Sequence, residues 1–157
     1  MRAVIAISAS VFFAFSAAAY AAADYTAGLG LRLEAGADGN AGISYKQFLS
    51  ARNAVEGLLL TDLNDGVEVS GLYMFQSRFP GSARDLRWYA GGGAHIGTWG
   101  KHDEFVLGPD GILGVEYSFT DIPLSISIDW HPVFNIITEK NDRFWPAKFG
   151  LTMRYTF

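Results

Sequence analysis

From Tyr25 to Phe157 the chain alternates with a period of two, and large apolar residues hold one face while charges and most glycines hold the other. Period two is the repeat of a β-strand, whose successive side chains point to opposite faces. The last segment shows the pattern most clearly. Phe149, Leu151, Met153, Tyr155 and Phe157 share one face, with Lys148, Gly150, Thr152, Arg154 and Thr156 on the other. Before it, Leu124, Ile126, Ile128 and Trp130 oppose Ser125, Ser127, Asp129 and His131, and Leu113, Val115, Tyr117 and Phe119 oppose Ile112, Gly114, Glu116 and Ser118. Trp88 to Ile96, Val67 to Phe75, Val55 to Leu59, Ile43 to Tyr45 and Leu29 to Leu33 alternate likewise, which makes eight strands.

A soluble β-sandwich or lipocalin-like barrel would also alternate, with apolar residues inside and charges outside. The glycines argue for the reverse. Glycine on a crowded inner face makes room for long charged side chains, whereas on a solvent face it only weakens a strand. The expected fold is therefore all-β, an eight-stranded antiparallel up-and-down transmembrane β-barrel, closed so that no unpaired backbone faces lipid. An even strand count puts both chain ends on one side. Tight turns are expected at Ser50 to Asn53 and Thr120 to Pro123, with Ser77 to Arg84 somewhat longer. Longer loops are expected on the other side, at Ala35 to Ala41, Thr61 to Gly66, Gly100 to Asp110 and Val133 to Pro146.

The N-terminus has the build of a secretory signal peptide: Arg2, an apolar run from Val4 to Phe15, then small residues up to Ala23. Residues 1–23 are expected to be removed and 24–157 to form the outer-membrane barrel domain; an uncleaved anchor helix is the alternative, since Val4 to Ala23 approaches the length that spans a bilayer. Twelve Lys and Arg against 16 Asp and Glu give a formal charge of −4, which argues against a nucleic-acid partner. With no Cys, thiolate metal sites, CxxC redox sites and cysteine nucleophiles are excluded.

The signal peptide, the eight alternating segments and the C-terminal Leu151-Thr152-Met153-Arg154-Tyr155-Thr156-Phe157 together resemble the small OmpA/OmpX-like outer-membrane β-barrels of Gram-negative bacteria. Tyr89 to Gly97 and Gly111 to Tyr117 look like stretches of an uncharacterised subgroup of these barrels. The resemblance implies location in the cell outer membrane after export through the periplasm. It also implies contact with outer-membrane lipid and lipopolysaccharide, and reading of Phe157 by the outer-membrane assembly machinery as its assembly signal. It carries no activity and no cofactor, and leaves any surface partner unknown.

The inward face carries Arg32, Glu34, Lys46, Glu56, Glu68, Arg87, Glu116, Asp129, Lys148 and Arg154, five acids against five bases. Eight strands enclose an interior just wide enough for side chains, so these charges are expected to pair into a plugged polar lumen rather than line a pore. A structural or surface-contact role follows from that reading. A narrow small-solute channel and a lipid A-modifying enzyme, by acyl transfer or deacylation, are the alternatives. Ser127, Asp129 and His131 share a face but lie about 6.7 Å apart at each step, too far for a hydrolytic triad on one strand; His95 or His131 with a carboxylate from a neighbouring strand remains possible. The expected loops hold eight acids, from Asp38 to Asp142, against three bases, without the regular spacing of a calcium loop. Phe75, Trp88, Trp99, Phe119, Trp130, Tyr155 and Phe157 are expected to form aromatic girdles at the two membrane interfaces. Phe144 and Trp145 are either further anchors on the loop side or a sugar-binding platform.

Overall fold

The C-terminal strand closes on the first. In the computed structural model, which describes residues 25–36, 39–62, 66–81, 85–99, 104–137, 144–146 and 148–157, the strands are β1 (Ala27–Ala35), β2 (Asn40–Phe48), β3 (Asn53–Thr61), β4 (Val67–Arg78), β5 (Leu86–Trp99), β6 (Glu104–Ser118) and β7 (Leu124–Trp130). Two two-residue strands, β8 (Val133–Phe134) and β9 (Phe144–Trp145), precede β10 (Phe149–Thr156). Each of β1 to β6 pairs antiparallel with the next, β7 pairs with β10, and β10 returns to β1 from Gly28↔Thr156 to Ala35↔Phe149. The result is a closed all-β barrel of eight antiparallel wall strands. The expected signal peptide lies outside the described residues, as do Asp38, Asp65, Asp103, Glu139 and Asp142 of the expected loop acids. Trp99, Glu104 and Trp145 are described by backbone alone.

Following the registers once round the wall displaces the starting point by about ten residues, the stagger that closure of tilted strands requires. With eight strands this stagger sets a tilt of about 40° and a backbone radius of about 8 Å. Side chains from opposite walls therefore meet at the axis. At that tilt the eight residues of β10 rise about 20 Å along the barrel.

Burial is inverted relative to a water-soluble domain. Among the described residues 23 buried side chains are polar or charged against 12 apolar ones, while 28 large apolar side chains are exposed, Leu31 at 71% and Leu33 at 59% among them. The buried apolar residues form a minor cluster on the inner side of β3 and β4, where Leu58, Leu60, Leu72 and Met74 pack with Phe48 and Tyr89.

The expected division into tight turns and long loops is corrected at one place in particular. The span from Gly100 to Asp110, read as a loop, is wall from Glu104 onward, because β5 and β6 run in register from Leu86↔Tyr117 to Trp99↔Glu104. The loop-side part of β6 thus overhangs β7, whose pairing with it stops at Leu113↔Trp130, while β4 accompanies β5 as far as Val67↔Thr98. Of the four connections there, only the one between β7 and β10 is long, and it folds back onto the raised edge of β6 through Asp110↔Val133 and Leu107↔Ile137. Gly108 and Pro109 suggest a turn in sequence, yet both fit this edge. Leu107 N donates to Ile137 O and Gly111 N to Pro132 O, so odd-numbered amides here point away from β5 and the missing N–H of Pro109 falls on the incomplete side of the ladder. A Cβ on Gly108 would collide with the Phe134 carbonyl, so glycine is what lets β8 approach.

Candidate functional site

The alternation that places apolar residues outside delivers Arg32 and Glu34 of β1, Ser44 and Lys46 of β2, and Thr152 and Arg154 of β10 into the lumen, where they enter two stacked networks. The one nearer the short-turn end centres on Glu116, which is fully buried. Its Oε2 receives Lys46 Nζ at 2.8 Å and Arg154 Nη1 at 3.3 Å, and its Oε1 receives Tyr25 Oη at 2.9 Å. Arg154 also donates to Glu56, to Ser44 Oγ at 2.8 Å and to Ser127 Oγ at 2.9 Å. Ser44 in turn donates to Glu56 at 2.6 Å.

The second network lies toward the loop end and is organised by Arg32. Its Nη1 and Nη2 meet Asp129 at 2.9 and 2.6 Å, its Nε meets Glu34 at 2.9 Å, and Nη1 also donates to Thr152 Oγ1 at 2.9 Å. Tyr89 Oη donates to Asp129 at 2.7 Å. Two glycines leave the space this takes. A Cβ on Gly114 would sit 2.6 Å from the Tyr89 ring and 2.6 Å from Asp129 Cβ, and one on Gly150 would lie against the Arg32 guanidinium and 2.7 Å from Asp129 Oδ1.

Above Arg32 the network continues through two histidines. His131 Nδ1 is 2.8 Å from Glu34 Oε1 and its Nε2 is 3.6 Å from Asp110 Oδ2. His95 Nδ1 is 2.5 Å from Asp110 Oδ1 and its Nε2 is 2.8 Å from Asn135 Oδ1. Lys148 Nζ lies 3.6 Å from Glu34 and 3.5 Å from Glu68. Arg87 sits at the short-turn mouth, with its guanidinium 5.7 Å from the Phe48 ring centroid and its backbone directly opposite Arg78.

All ten charges expected in the lumen are buried there. Asp110 is a correction: read as a loop acid, it belongs to β6 and is a sixth buried carboxylate, 6% exposed, set between His95 and His131. Tyr25, Ser44, Tyr89, Asn135 and the two histidines complete the networks. Tyr89, His95 and His131 were already on the inward alternation, while Tyr25 precedes β1 and carries no periodic signal.

Ser127, Asp129 and His131 turn to three different partners, Arg154, Arg32 and Glu34. His–carboxylate pairs do form across strands, but His95 and His131 are 1% and 0% exposed and their hydrogen bonds run to Asp110, Asn135 and Glu34 inside the lumen. No group of three described His, Asp or Glu side chains is placed to hold a metal ion.

On the outer surface, Phe75, Phe119, Tyr155 and Phe157 are exposed and Trp88 is half-buried. Phe75 packs on Trp88 with centroids 5.8 Å apart, and Tyr155 on Phe157 at 6.3 Å. Trp130 is exposed near the other end, and its indole N–H donates to the Pro146 carbonyl. Phe144 stacks on Phe134, centroids 4.5 Å apart. No protein-family model matches the chain, and no curated protein matches it.

Proposed function

We propose that this barrel is an integral outer-membrane protein whose role is structural or one of surface contact, with a lumen closed by its own ion pairs. The observation that carries the reading is the inverted burial: an outer surface of large apolar side chains around a charged interior. In water, 28 exposed large apolar residues would be an association hazard, whereas against hydrocarbon they are the favoured surface. Aromatic side chains toward both ends of this surface suit the two interfaces. The about 20 Å rise of β10 is close to the apolar band of such barrels, about 25 Å.

The closed lumen favours the structural reading over a channel, since a barrel of eight strands has room for side chains and little else. Lipid A modification finds no support in the site, because both histidines are sealed from the lipid-facing surface. The C-terminal strand with its exposed Phe157 fits recognition by an assembly machinery, and the outer surface fits contact with lipid and lipopolysaccharide.

Cell fractionation tests the proposal together with gel migration. The protein should be recovered with the outer membrane and should migrate faster unheated than boiled, because a closed ladder resists detergent. Recovery as a soluble periplasmic protein with no heat-dependent shift would refute it.

A further inference from the structure

The loop end of the lumen joins side chains from several elements through two imidazole rings. His131, directly after β7, sets Nδ1 2.8 Å from Glu34 Oε1 of β1 and Nε2 3.6 Å from Asp110 Oδ2 of β6. Both neighbours are carboxylates, which when ionised accept and do not donate. A neutral imidazole has a single N–H, so only the imidazolium turns a proton toward both. His95 of β5 is placed alike, with Nδ1 2.5 Å from the other oxygen of Asp110 and Nε2 2.8 Å from Asn135 Oδ1. Asp110 is thus held between two rings.

The balance of charge agrees with this geometry. Among the described residues, the charged groups that face these rings, or pair with those that do, are Arg32 and Glu34 of β1, Glu68 of β4, Asp110 of β6, Asp129 of β7 and Lys148 just before β10. That is four acids against two bases. Two imidazolium rings make the balance even, whereas two neutral rings leave an excess of buried negative charge, which is costly. The element best placed to respond is residues 132–137, which carry Asn135. Gly111 N donates to Pro132 O at 2.9 Å, Ile136 N to Leu107 O at 2.9 Å, and Leu107 and Ile137 exchange bonds of 3.2 and 3.1 Å. This short ladder on the overhanging edge of β6 opens more readily than the continuous β5–β6 wall behind it.

We propose that His95, Asp110 and His131 form a proton-operated clasp, which holds residues 132–137 on the edge of β6 while both rings carry two protons and releases them when the rings become neutral. When His131 loses the proton on Nε2, a lone pair faces Asp110 Oδ2 where a cation stood. When His95 loses its own from Nε2, Asn135 Oδ1 loses a donor. Val133 and Asn135, 2% and 8% exposed in the closed form, then reach water, and β6 keeps its pairing with β5. The hold is present on the acid side, as long as the carboxylates stay ionised, and is lost as pH rises through the titration of the rings. No histidine enters the Glu116 network, so the clasp loosens the loop end and leaves that part of the plug in place. The clasp is independent of the role proposed for the barrel.

The chain has no cysteine, so Val67→Cys and Ile136→Cys, both at exposed positions, place one pair of spin labels on β4 and on the clasped segment. Pulsed electron resonance on the refolded protein in detergent micelles, from the acid to the alkaline side of the histidine range, reads the position of that segment. Nitrogen NMR of the unmodified protein reads the protons on the two rings. One narrow distance is expected while both rings hold two protons, broadening as they lose them, with coincident midpoints. In His95→Gln/His131→Gln the pH-dependent step should vanish. A distance that stays narrow while the rings titrate, rings whose proton count does not change over the range, or a step that survives in the double variant would overturn the proposal. If the double variant does not fold, the midpoints of ring and segment decide: coincidence upholds the clasp and separation refutes it.

Discussion

Arg32 and Asp129, 97 positions apart, meet in a two-pronged ion pair over the inner face of β10 at 2.9 and 2.6 Å, and both side chains are fully buried. Nothing near either residue in the chain indicates the other. They meet because β10 separates β1 from β7, so that Arg32 and Asp129 reach over Gly150 from either side, and a residue with no side chain is what lies between them.

Breaking that pair from one side should be far worse than removing it whole. Asp129→Leu or Arg32→Met alone is expected to cost about 3–5 kcal/mol, because each strands a buried charge. The double variant should cost less than the sum of the two. Urea unfolding midpoints in lipid vesicles measure this, and strict additivity would show that the two residues are not coupled.

The glycines divide into two kinds with opposite expectations. Gly114→Ala and Gly150→Ala should each destabilise by about 1–3 kcal/mol, since the added methyl overlaps Tyr89, Arg32 or Asp129. Gly57→Ala and Gly71→Ala, on the outer face with nothing within 4 Å of the new Cβ, should be neutral or slightly stabilising. Comparable losses at all four sites would contradict the packing described for the lumen.

Leu151 is 46% exposed on the outward face of β10. If that face meets hydrocarbon, Leu151→Arg should cost about 2–4 kcal/mol on folding into vesicles, and Thr120→Arg, in the exposed β6–β7 turn, about 0–1 kcal/mol. Equal tolerance of both changes would remove the lipid-facing assignment.

The strands were legible in the sequence because period two survives in every wall segment, and the faces were legible because Glu56, Glu116, Asp129 and Arg154 each mark the inner side. The overhang of β6 beyond β7 was not. Gly108 and Pro109 carry turn chemistry in any local reading, and their place in a strand depends on an edge formed by residues more than 20 positions later, at Pro132 and Phe134. Asp110 was missed for the same reason, and with it the histidine-flanked end of the network. Which acid meets which base was equally hidden, since strand stagger decides it: Lys46 stands opposite Glu56 in register but bonds Glu116 on the far wall.

Purified protein in planar bilayers should show no large, steady conductance, as the two networks fill the cross-section left by a backbone radius of about 8 Å. Reproducible open channels in the unmodified protein would promote the channel reading above the structural one.

Deleting Phe157 should lower the membrane-inserted fraction far more than it lowers the unfolding midpoint of the protein that does insert. Phe157 contributes one exposed ring and three backbone hydrogen bonds, with Thr26 and Ala27. Pulse-labelled insertion at equal expression separates the two effects, and unchanged insertion would count against a role as an assembly signal.

The cross-lumen pairs also constrain the order of events during assembly. Tyr25 and Glu116 are 91 positions apart, Lys46 and Glu116 70, and Arg154 and Glu56 98, so each bond joins an early part of the chain to a late one. A sheet lacking β10 and presented to a bilayer would hold Glu56 without Arg154. Arg32–Glu34 forms within β1 and Lys46–Glu116 between β2 and β6, but Glu56 gains Arg154 only when the last strand meets the first. Closure is then the step that completes the exchange of water for opposite charges, and if the barrel sits in a bilayer as proposed, an intermediate lacking β10 would leave Glu56 there without Arg154. Contacts of such high sequence separation form late and slowly. If the barrel enters a bilayer as proposed, the chain gains from staying hydrated until its final strand is delivered.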